Sequence, residues 1–198
     1  MIGIIMRSQR DLFASGTALP EGFTYESEFL SIEEETALLN VLKALPFKEA
    51  QYKEWVAKRR VVSYGGRYDF THLELLPAPD IPDFLLPLRT KIAAWSGLAV
   101  AELQHAMIAE YSVGTPLGWH RDVPDFETIV GVSLAGSARM RLRPYPPRKG
   151  VRAALTLDIE PRSVYIMRGP ARWEWQHAIS PTRELRYSIT FRTRRAAA

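Results

Sequence analysis

The chain has 198 residues, of which 46% are hydrophobic and 24% charged, a size and composition typical of one globular domain with its own core. It contains no cysteine, which excludes disulfides, thiolate zinc sites and a cysteine nucleophile, and its net charge of +4 favours acidic partners such as nucleic acid. Because no apolar run is long enough to span a membrane and residues 1–6 are too short for a signal-peptide core, we expect a cytoplasmic protein without a membrane partner.

The chain divides into a helical part and a β-rich part within one domain. Residues 1–25 carry few structural cues and predict a loose N-terminal arm, followed by a single domain at 26–198. Within it, 26–102 form a helical part that includes a substrate lid, and 103–195 form a β-rich catalytic core.

Two helices are predicted in the first part. Ser31 and Glu34 have the spacing of a capping box, so a helix begins there and ends before Pro46. A second helix has its regular part from about Pro87 and stops at Gly97. Between them, residues 59–70 predict a strand and a turn rich in aromatic and basic side chains.

The remainder of the chain predicts short strands separated by turn residues. Seven such strands suggest a mainly β, α+β fold, a sandwich or jelly roll with the N-terminal helices packed on it. The candidate strands are Ala106–Ser112, Thr128–Leu134, Ala138–Arg143, Ala153–Asp158, Ser163–Met167, Trp173–Ile179 and Leu185–Thr193.

A histidine and a carboxylate lie two residues apart at His120 and Asp122, where an apolar strand breaks at glycines and a proline. In an extended chain, alternate side chains face the same way, so these two converge. They are two of the three ligands of a 2-His-1-carboxylate site, which leaves positions on the metal open for chemistry. A His-x-Asp pair also arises by chance, and a surface strand end is the alternative.

The last strand alternates between an apolar and a polar face. Tyr187, Ile189 and Phe191 form the apolar face, and Arg186 and Arg192 lie on the other face with Ser188 and Thr190. Two guanidiniums facing one space fit an anion, because arginine offers a fork matched to a carboxylate. A solvated strand face is the alternative interpretation.

The order Tyr111, His120-Arg121-Asp122, His177 and the Arg-x5-Arg strand at 186–192 resembles the AlkB-type branch of the Fe(II)/2-oxoglutarate dioxygenases. The resemblance extends from about residue 29 to 195. It implies a double-stranded β-helix of the jelly-roll kind, with Fe(II) as cofactor and 2-oxoglutarate and O2 as cosubstrates. It also implies that His120, Asp122 and His177 are the metal ligands.

The same resemblance assigns the cosubstrate site. Arg186 would bind the distal carboxylate of 2-oxoglutarate, with a hydrogen bond from Tyr111 and one from Ser188. Arg192 would close the site near the metal and act with the ligands in catalysis. Trp175 shares a face with His177 and would line the cosubstrate pocket, although an ordinary core tryptophan would occupy nearly the same position.

This chain departs from the family pattern at three positions. Ala109 and Ser188 stand where family members commonly carry asparagine, which loosens the expected orientation of the cosubstrate. Pro124 stands where nucleic-acid-repairing members often carry an acidic residue, and Asp125 follows it. Either the loop presents Asp125 to the substrate, or base recognition differs from that of the nucleic-acid-repairing members. This departure concerns the substrate and leaves the predicted iron chemistry unchanged.

The function implied is oxidative demethylation of N-alkylated bases in DNA or RNA by a monomer. A protein-directed oxygenase with the same iron site is the first alternative, and a non-enzymatic jelly-roll binding module is the second.

On the substrate side of the active-site opening, we expect Tyr64, Tyr68 and Trp119 to stack on bases, with core packing beneath the helices as the alternative. His72 and His105 are expected to be surface or satisfied core residues.

Arginines alternate along Ala138–Arg143, so Arg139, Arg141 and Arg143 share one face of that strand. Three further cations continue the charge around the following turn, at Arg148, Lys149 and Arg152. This charge pattern predicts that the hairpin binds nucleic-acid phosphates, with Arg139 and Arg141 contacting the substrate. A basic edge strand that discourages edge-to-edge pairing is the alternative.

Overall fold

The computed structural model describes residues 18–52, 55–69, 72–147 and 155–196. The described residues form thirteen strands and three α-helices. The strands are β1 (Phe23–Glu26), β2 (Lys48–Tyr52), β3 (Trp55–Tyr64), β4 (Arg67–Asp69), β5 (Glu74–Leu76), β6 (Leu103–Tyr111), β7 (Leu117–His120), β8 (Phe126–Ala135), β9 (Ala138–Pro144), β10 (Leu155–Ile159), β11 (Val164–Met167), β12 (Trp175–Ile179) and β13 (Arg186–Arg194). The helices are α1 (Ile32–Leu42), α2 (Leu86–Ser96) and α3 (Pro170–Trp173).

Two antiparallel sheets face each other and form a jelly roll. The major sheet has seven strands in the order β1-β11-β8-β13-β6-β3-β2, and the minor sheet has four in the order β10-β9-β12-β7. Strands β4 and β5 pair separately as a small hairpin. The mainly β fold and its jelly-roll architecture confirm the expectation from the sequence.

Helices α1 and α2 pack on the outer face of the major sheet. The Ser31 hydroxyl accepts from the Glu34 amide at 3.2 Å, and the Glu34 carboxylate accepts from the Ser31 amide at 2.7 Å, so the capping box forms as the sequence predicts. Helix α2 ends at Gly97, whose φ of 74° is the left-handed conformation that favours glycine. Leu42 and Ile92 belong to the core cluster on this face.

Side chains of strand β13 alternate between the two faces of the major sheet, one packed against the helices and one facing the minor sheet. Its apolar residues Tyr187, Ile189 and Phe191 lie in the core cluster beneath the helices. Its polar residues face the minor sheet together with their cross-strand partners on β6, and this inner face carries the functional side chains. Arg186 pairs with Tyr111, and Arg192 pairs with His105.

Some elements differ from the sequence prediction. Strand β1 spans the expected boundary at residue 25 because Phe23–Glu26 pairs with β11 along the edge of the major sheet. Strand β2 was not predicted, since Lys-Glu-Ala-Gln-Tyr lacks an alternating apolar pattern and pairing with β3 determines its conformation. Trp173 lies in α3 rather than in the following strand. Within the described ranges, no helix has the length and apolarity needed to cross a membrane.

Candidate metal centre and adjoining pocket

His120, Asp122 and His177 come together between the two sheets. His120 ends β7 and is the cross-strand partner of His177 on β12, with the ring centroids 4.2 Å apart. Asp122 follows two residues after His120, and one ligand atom from each of the three residues lies within 4.8 Å of the others. Two imidazoles and one carboxylate are the donor set of a facial Fe(II) site with open positions. The donor set therefore fits the metal that the sequence predicts.

Neighbouring groups orient these side chains. The Nδ1 atom of His120 lies 2.9 Å from the Gly118 carbonyl oxygen, so a proton on Nδ1 donates to that carbonyl and Nε2 is left for a metal. Arg192 donates from Nε and Nη2 to Oδ1 of Asp122 at 3.1 and 2.9 Å. This pair fixes the carboxylate and leaves Oδ2 as an acceptor.

All three side chains are held in the unprotonated form that binds a metal. Burial, together with His120, lowers the pKa of His177 to about 3, and burial also lowers the pKa of His120. Burial alone would raise the pKa of Asp122, but Arg192 and the two imidazoles outweigh it and hold that pKa well below its usual range. A metal therefore displaces few protons from this site at neutral pH.

A pocket opens beside the triad between the inner faces of the two sheets. Arg186, Ser188, Thr190 and Arg192 line one wall from β13, as the alternation predicts. The other lining residues are Arg59, Met107, Ala109, Tyr111, Leu117, Ile129, Met140, Tyr165 and Ile179. Apolar and cationic groups dominate this surface, which suits a dianionic ligand next to a metal.

Arg186 lines this pocket and is only 1% exposed. Its Nε donates to the Ser133 hydroxyl at 2.9 Å, and its guanidinium carbon lies 5.0 Å from the centre of the Tyr111 ring. These contacts fix the guanidinium, and within the described part of the chain no hydrogen bond occupies its two Nη atoms. Tyr165 also lines the pocket, and burial raises its pKa to about 12, so its hydroxyl keeps a proton to donate.

The side chain of His105 contacts the guanidinium of Arg192. Nη1 of Arg192 lies 3.3 Å from Nδ1 of His105, and since arginine can only donate, His105 accepts there in its neutral form. Burial lowers the pKa of His105 to about 3, and a backbone hydrogen bond with Gly66 opposes this shift. His105 is 3% exposed, a satisfied core histidine that links the β3–β4 turn to the Arg192–Asp122 pair.

The loop that carries Asp122 is held by Arg172, a residue that the sequence did not single out. The buried Arg172 side chain donates to the carbonyl oxygens of Asp122, Val123 and Phe126 at 2.8 to 3.2 Å. Three carbonyls around one guanidinium fix the path of the chain after the ligand. Its position three residues after the Gly169 turn carries no local pattern that would have revealed this role.

Four of the predicted aromatic residues lie outside the pocket lining: Tyr64, Tyr68, Trp119 and Trp175. Trp175 packs against the core cluster between the sheets, and Tyr64 packs against the cluster beneath the helices. Trp119 precedes His120 on β7 and, by alternation, lies on the outer face of the minor sheet. The guanidiniums of Arg141 and Arg143 lie 5.1 and 4.3 Å from the centre of its ring.

The other predicted substrate residues lie on the hairpins and loops. Tyr68 on β4 is close enough to Asp125 for that carboxylate to contribute, after burial, to a raised pKa of the tyrosine. Arg139 is exposed and forms an ion pair with Asp158 at 2.8 Å, whereas Arg141 has a buried Nε without a hydrogen-bond partner among the described residues. Residues 148 to 154 lie outside the described ranges, so the three cations at Arg148, Lys149 and Arg152 are not placed.

Arg59 is a further pocket residue that sequence reasoning missed. It lies on β3 next to Arg60, which pairs with Glu110 on β6, so Arg59 is on the same face as Tyr111. The basic character of residues 59–70 was visible in the sequence. Which of the two adjacent arginines faces the pocket depends on the pairing of β3 with β6, which no local pattern reports.

Comparisons with known proteins agree with this geometry. The profile of the 2OG-Fe(II) oxygenase superfamily matches residues 22–192. The chain is 29% identical to the uncharacterized protein L905 of Acanthamoeba polyphaga mimivirus, over 86% of this chain and 84% of that protein. It is 27% identical to the alkylated DNA repair protein ALKBH8 homolog of Arabidopsis thaliana, over 77% of this chain and about half (49%) of that protein.

Solved structures share the fold. OsALKBH1 superposes with a TM-score of 0.69 at 17% identity, over 89% of this chain and all of that chain. A prolyl hydroxylase from Trichoplax adhaerens, in complex with a hypoxia inducible factor peptide fragment, superposes with a TM-score of 0.59 at 16% identity, over 87% of this chain and 83% of that chain. The chain therefore belongs to the 2OG-Fe(II) oxygenase superfamily and is a dioxygenase that uses Fe(II), 2-oxoglutarate and O2.

Proposed function

We propose that this dioxygenase oxidatively demethylates N-alkylated bases in nucleic acid, with His120, Asp122 and His177 as the ligands of Fe(II). The observation that carries the proposal is the cluster of these three side chains in the same pocket as a buried, preorganised Arg186. The name of the Arabidopsis relative, an alkylated DNA repair protein, supports the substrate class. The net positive charge of the chain favours a polyanionic partner.

The cosubstrate would lie between the triad and Arg186. Arg186 would form a paired contact with the distal carboxylate of 2-oxoglutarate, oriented by Ser133 and assisted by the Tyr111 hydroxyl. Ser188 lines the same wall and can donate one hydrogen bond, which partly replaces the asparagine common in the family. Because Ala109 cannot hydrogen-bond through its side chain, the charge contact of Arg186 carries most of the orientation.

The protein supplies geometry, and the metal supplies the difficult oxidation. Fe(II), when bound, couples the decarboxylation of 2-oxoglutarate to succinate and CO2 with O2-dependent hydroxylation of a substrate methyl group. Arg192 acts with the triad by keeping Asp122 ionised and correctly turned. A hydroxylated N-methyl group then releases formaldehyde, which leaves the repaired base.

Removal of one ligand tests the assignment. His120→Ala should abolish Fe(II)-dependent release of succinate and formaldehyde with a methylated oligonucleotide, because two ligands bind the metal too weakly. We expect the circular dichroism spectrum to be unchanged, since the substitution leaves both apolar core clusters intact. Asp122→Ala should have the same effect on turnover. Undiminished 2-oxoglutarate decarboxylation in either variant would contradict the triad.

The same iron chemistry on a protein substrate is the second candidate. It is favoured by the position of Asp125, which lies beside Tyr68 and outside the pocket lining, so an acidic base reader is not placed there. The likeness to a prolyl hydroxylase supports only the shared fold. Screening methylated oligonucleotides against methylated and proline-containing peptides for succinate release separates the two candidates.

A further inference from the structure

The charges that line the pocket are unbalanced. Arg59, Arg186 and Arg192 contribute three guanidiniums, and Asp122 is the single carboxylate among the described lining residues. Fe(II) and the 2-oxoglutarate dianion bring equal and opposite charges, so their binding does not change the balance. Two positive charges therefore remain in excess in the pocket after the metal and the cosubstrate have bound.

Of the three arginines, Arg59 is the one to which neither a protein partner nor a ligand has been assigned. Arg192 is paired with Asp122, and Arg186 is held by Ser133 for the cosubstrate. Nε of Arg59 is buried and has no hydrogen-bond partner within the described part of the chain, although the neighbouring Arg60 is ion-paired with Glu110. A buried donor without a partner is costly, so Arg59 is poised to donate to a ligand.

Within the described ranges, the acidic groups around the pocket do not compensate for Arg59. Glu110 accepts from Arg60 and from the Tyr187 hydroxyl on the opposite face of the major sheet. Glu127 accepts from the Trp173 indole at 2.9 Å, and Asp125 lies outside the lining. Proline occupies position 124, so this loop adds no carboxylate two residues beyond Asp122.

We propose that Arg59 makes this site selective for neutral alkylated bases that present an acceptor atom and against bases that alkylation has made cationic. The inference rests on the proposed function and narrows its substrate class. A guanidinium donates a charge-assisted hydrogen bond to a ring carbonyl, and it repels a positive ring because the charges meet in a partly buried pocket. A neutral base methylated on nitrogen therefore satisfies Arg59, whereas a cationic base leaves its donor unpaired.

A matched pair of lesions isolates this effect. 3-Methyluracil and 3-methylcytosine carry the methyl group on the same ring nitrogen and differ at one exocyclic atom, but only 3-methylcytosine is cationic at neutral pH. Dissociation constants are measured by fluorescence anisotropy for oligonucleotides that differ only at this base. Protein loaded with Mn(II) and 2-oxoglutarate is used, so that binding is read without turnover.

Two substitutions are compared with the parent. Arg59→Met removes the charge and retains the length of the side chain. Arg89→Met is the matched control, because Arg89 also has a buried Nε without a partner among the described residues but lies on α2, outside the pocket lining. The 2-oxoglutarate dissociation constant and the melting temperature of each variant are measured alongside.

We expect the parent to bind the 3-methyluracil strand at least about tenfold more tightly than the 3-methylcytosine strand, the low end for a charge-assisted hydrogen bond. Arg59→Met should reduce this ratio by about tenfold, and Arg89→Met should leave it unchanged. A parent that prefers 3-methylcytosine, or a ratio that survives Arg59→Met, would overturn the inference. So would an equal loss of 2-oxoglutarate affinity, which would place Arg59 in the cosubstrate site. If the parent binds neither lesion better than unmodified strands, the proposed function fails and the inference with it.

Discussion

Arg186 is a fully buried cation on β13, held by Ser133 and by the Tyr111 ring, and its fixed orientation matters as much as its charge. Arg186→Lys should weaken 2-oxoglutarate binding by roughly ten- to a hundredfold, because an ammonium cannot form the paired contact with a carboxylate. Titration of the metal-loaded protein with 2-oxoglutarate measures this. Tyr111→Phe is the milder control, since it removes one hydrogen bond and no charge. An unchanged affinity in Arg186→Lys would place the anion elsewhere.

His105 makes stability depend on pH. Its pKa is lowered from 6.5 to about 3 in the folded protein, so below about pH 6.5 the unfolded chain takes up a proton that the folded chain refuses. The free energy of unfolding should therefore fall as the pH drops from 6.5 towards 3, by about 1.4 kcal/mol per pH unit for this residue. His177 contributes a shift of the same sign when no metal is bound.

His105→Asn isolates that contribution. In urea unfolding with chelator present, the variant should lose about 2 kcal/mol less than the parent between about pH 6.5 and about pH 5. Its absolute stability at neutral pH is expected to be lower, because the contact to Arg192 changes, so the slope is the measured quantity. Equal slopes in the two proteins would mean that His105 is not neutral in the folded state.

At the scale of elements, the outer face of the minor sheet concentrates positive charge around an aromatic ring. Arg141 and Arg143 lie over Trp119, whereas Arg139 is neutralised by Asp158. If this face contacts nucleic-acid phosphates, Arg141→Ser should weaken oligonucleotide binding at all sequences and reduce the salt slope by about one. Arg139→Ser should have a smaller effect, because its charge is already paired.

The measurement for this face is the dissociation constant of one oligonucleotide at several salt concentrations. Arg168→Ser is a suitable control, as an exposed arginine outside β9. Uncoupled decarboxylation of 2-oxoglutarate should be unchanged in all three variants, because none of these residues lines the pocket. If Arg141→Ser binds the oligonucleotide with the affinity and salt slope of the parent, the hairpin does not bind nucleic-acid phosphates. That result would favour the protein-substrate candidate.

The elements also show what a sequence can report. Strand β13 was predictable on both faces, because alternation is local and the apolar set Tyr187, Ile189 and Phe191 determines which way the arginines turn. The capping box of α1 and the glycine that ends α2 are local signals as well. Strand β2 was not predictable, because its pairing with β3 is decided by contacts that the pattern of β2 itself does not record.

At the scale of the whole molecule, the major sheet separates a packing face from a chemical face. The packing face and the fold class followed from hydrophobic pattern, and the triad followed from motif spacing and resemblance. The residues that surround and orient the site could not be predicted from the sequence. Arg172, His105 and Arg59 reach the site only through long-range strand pairing and loop closure. Tyr64 shows the same limit, since its aromatic character fitted a base platform but its strand position places it beneath the helices.

We propose that the iron site removes methyl groups from bases in nucleic acid. The most direct measurement quantifies succinate and formaldehyde together from oligonucleotides methylated at single ring nitrogens, with Fe(II), 2-oxoglutarate and O2 present. We expect equal amounts of the two products from the parent protein and neither from His120→Ala. Succinate without formaldehyde on every methylated oligonucleotide, with product formed instead on a peptide, would contradict the claim.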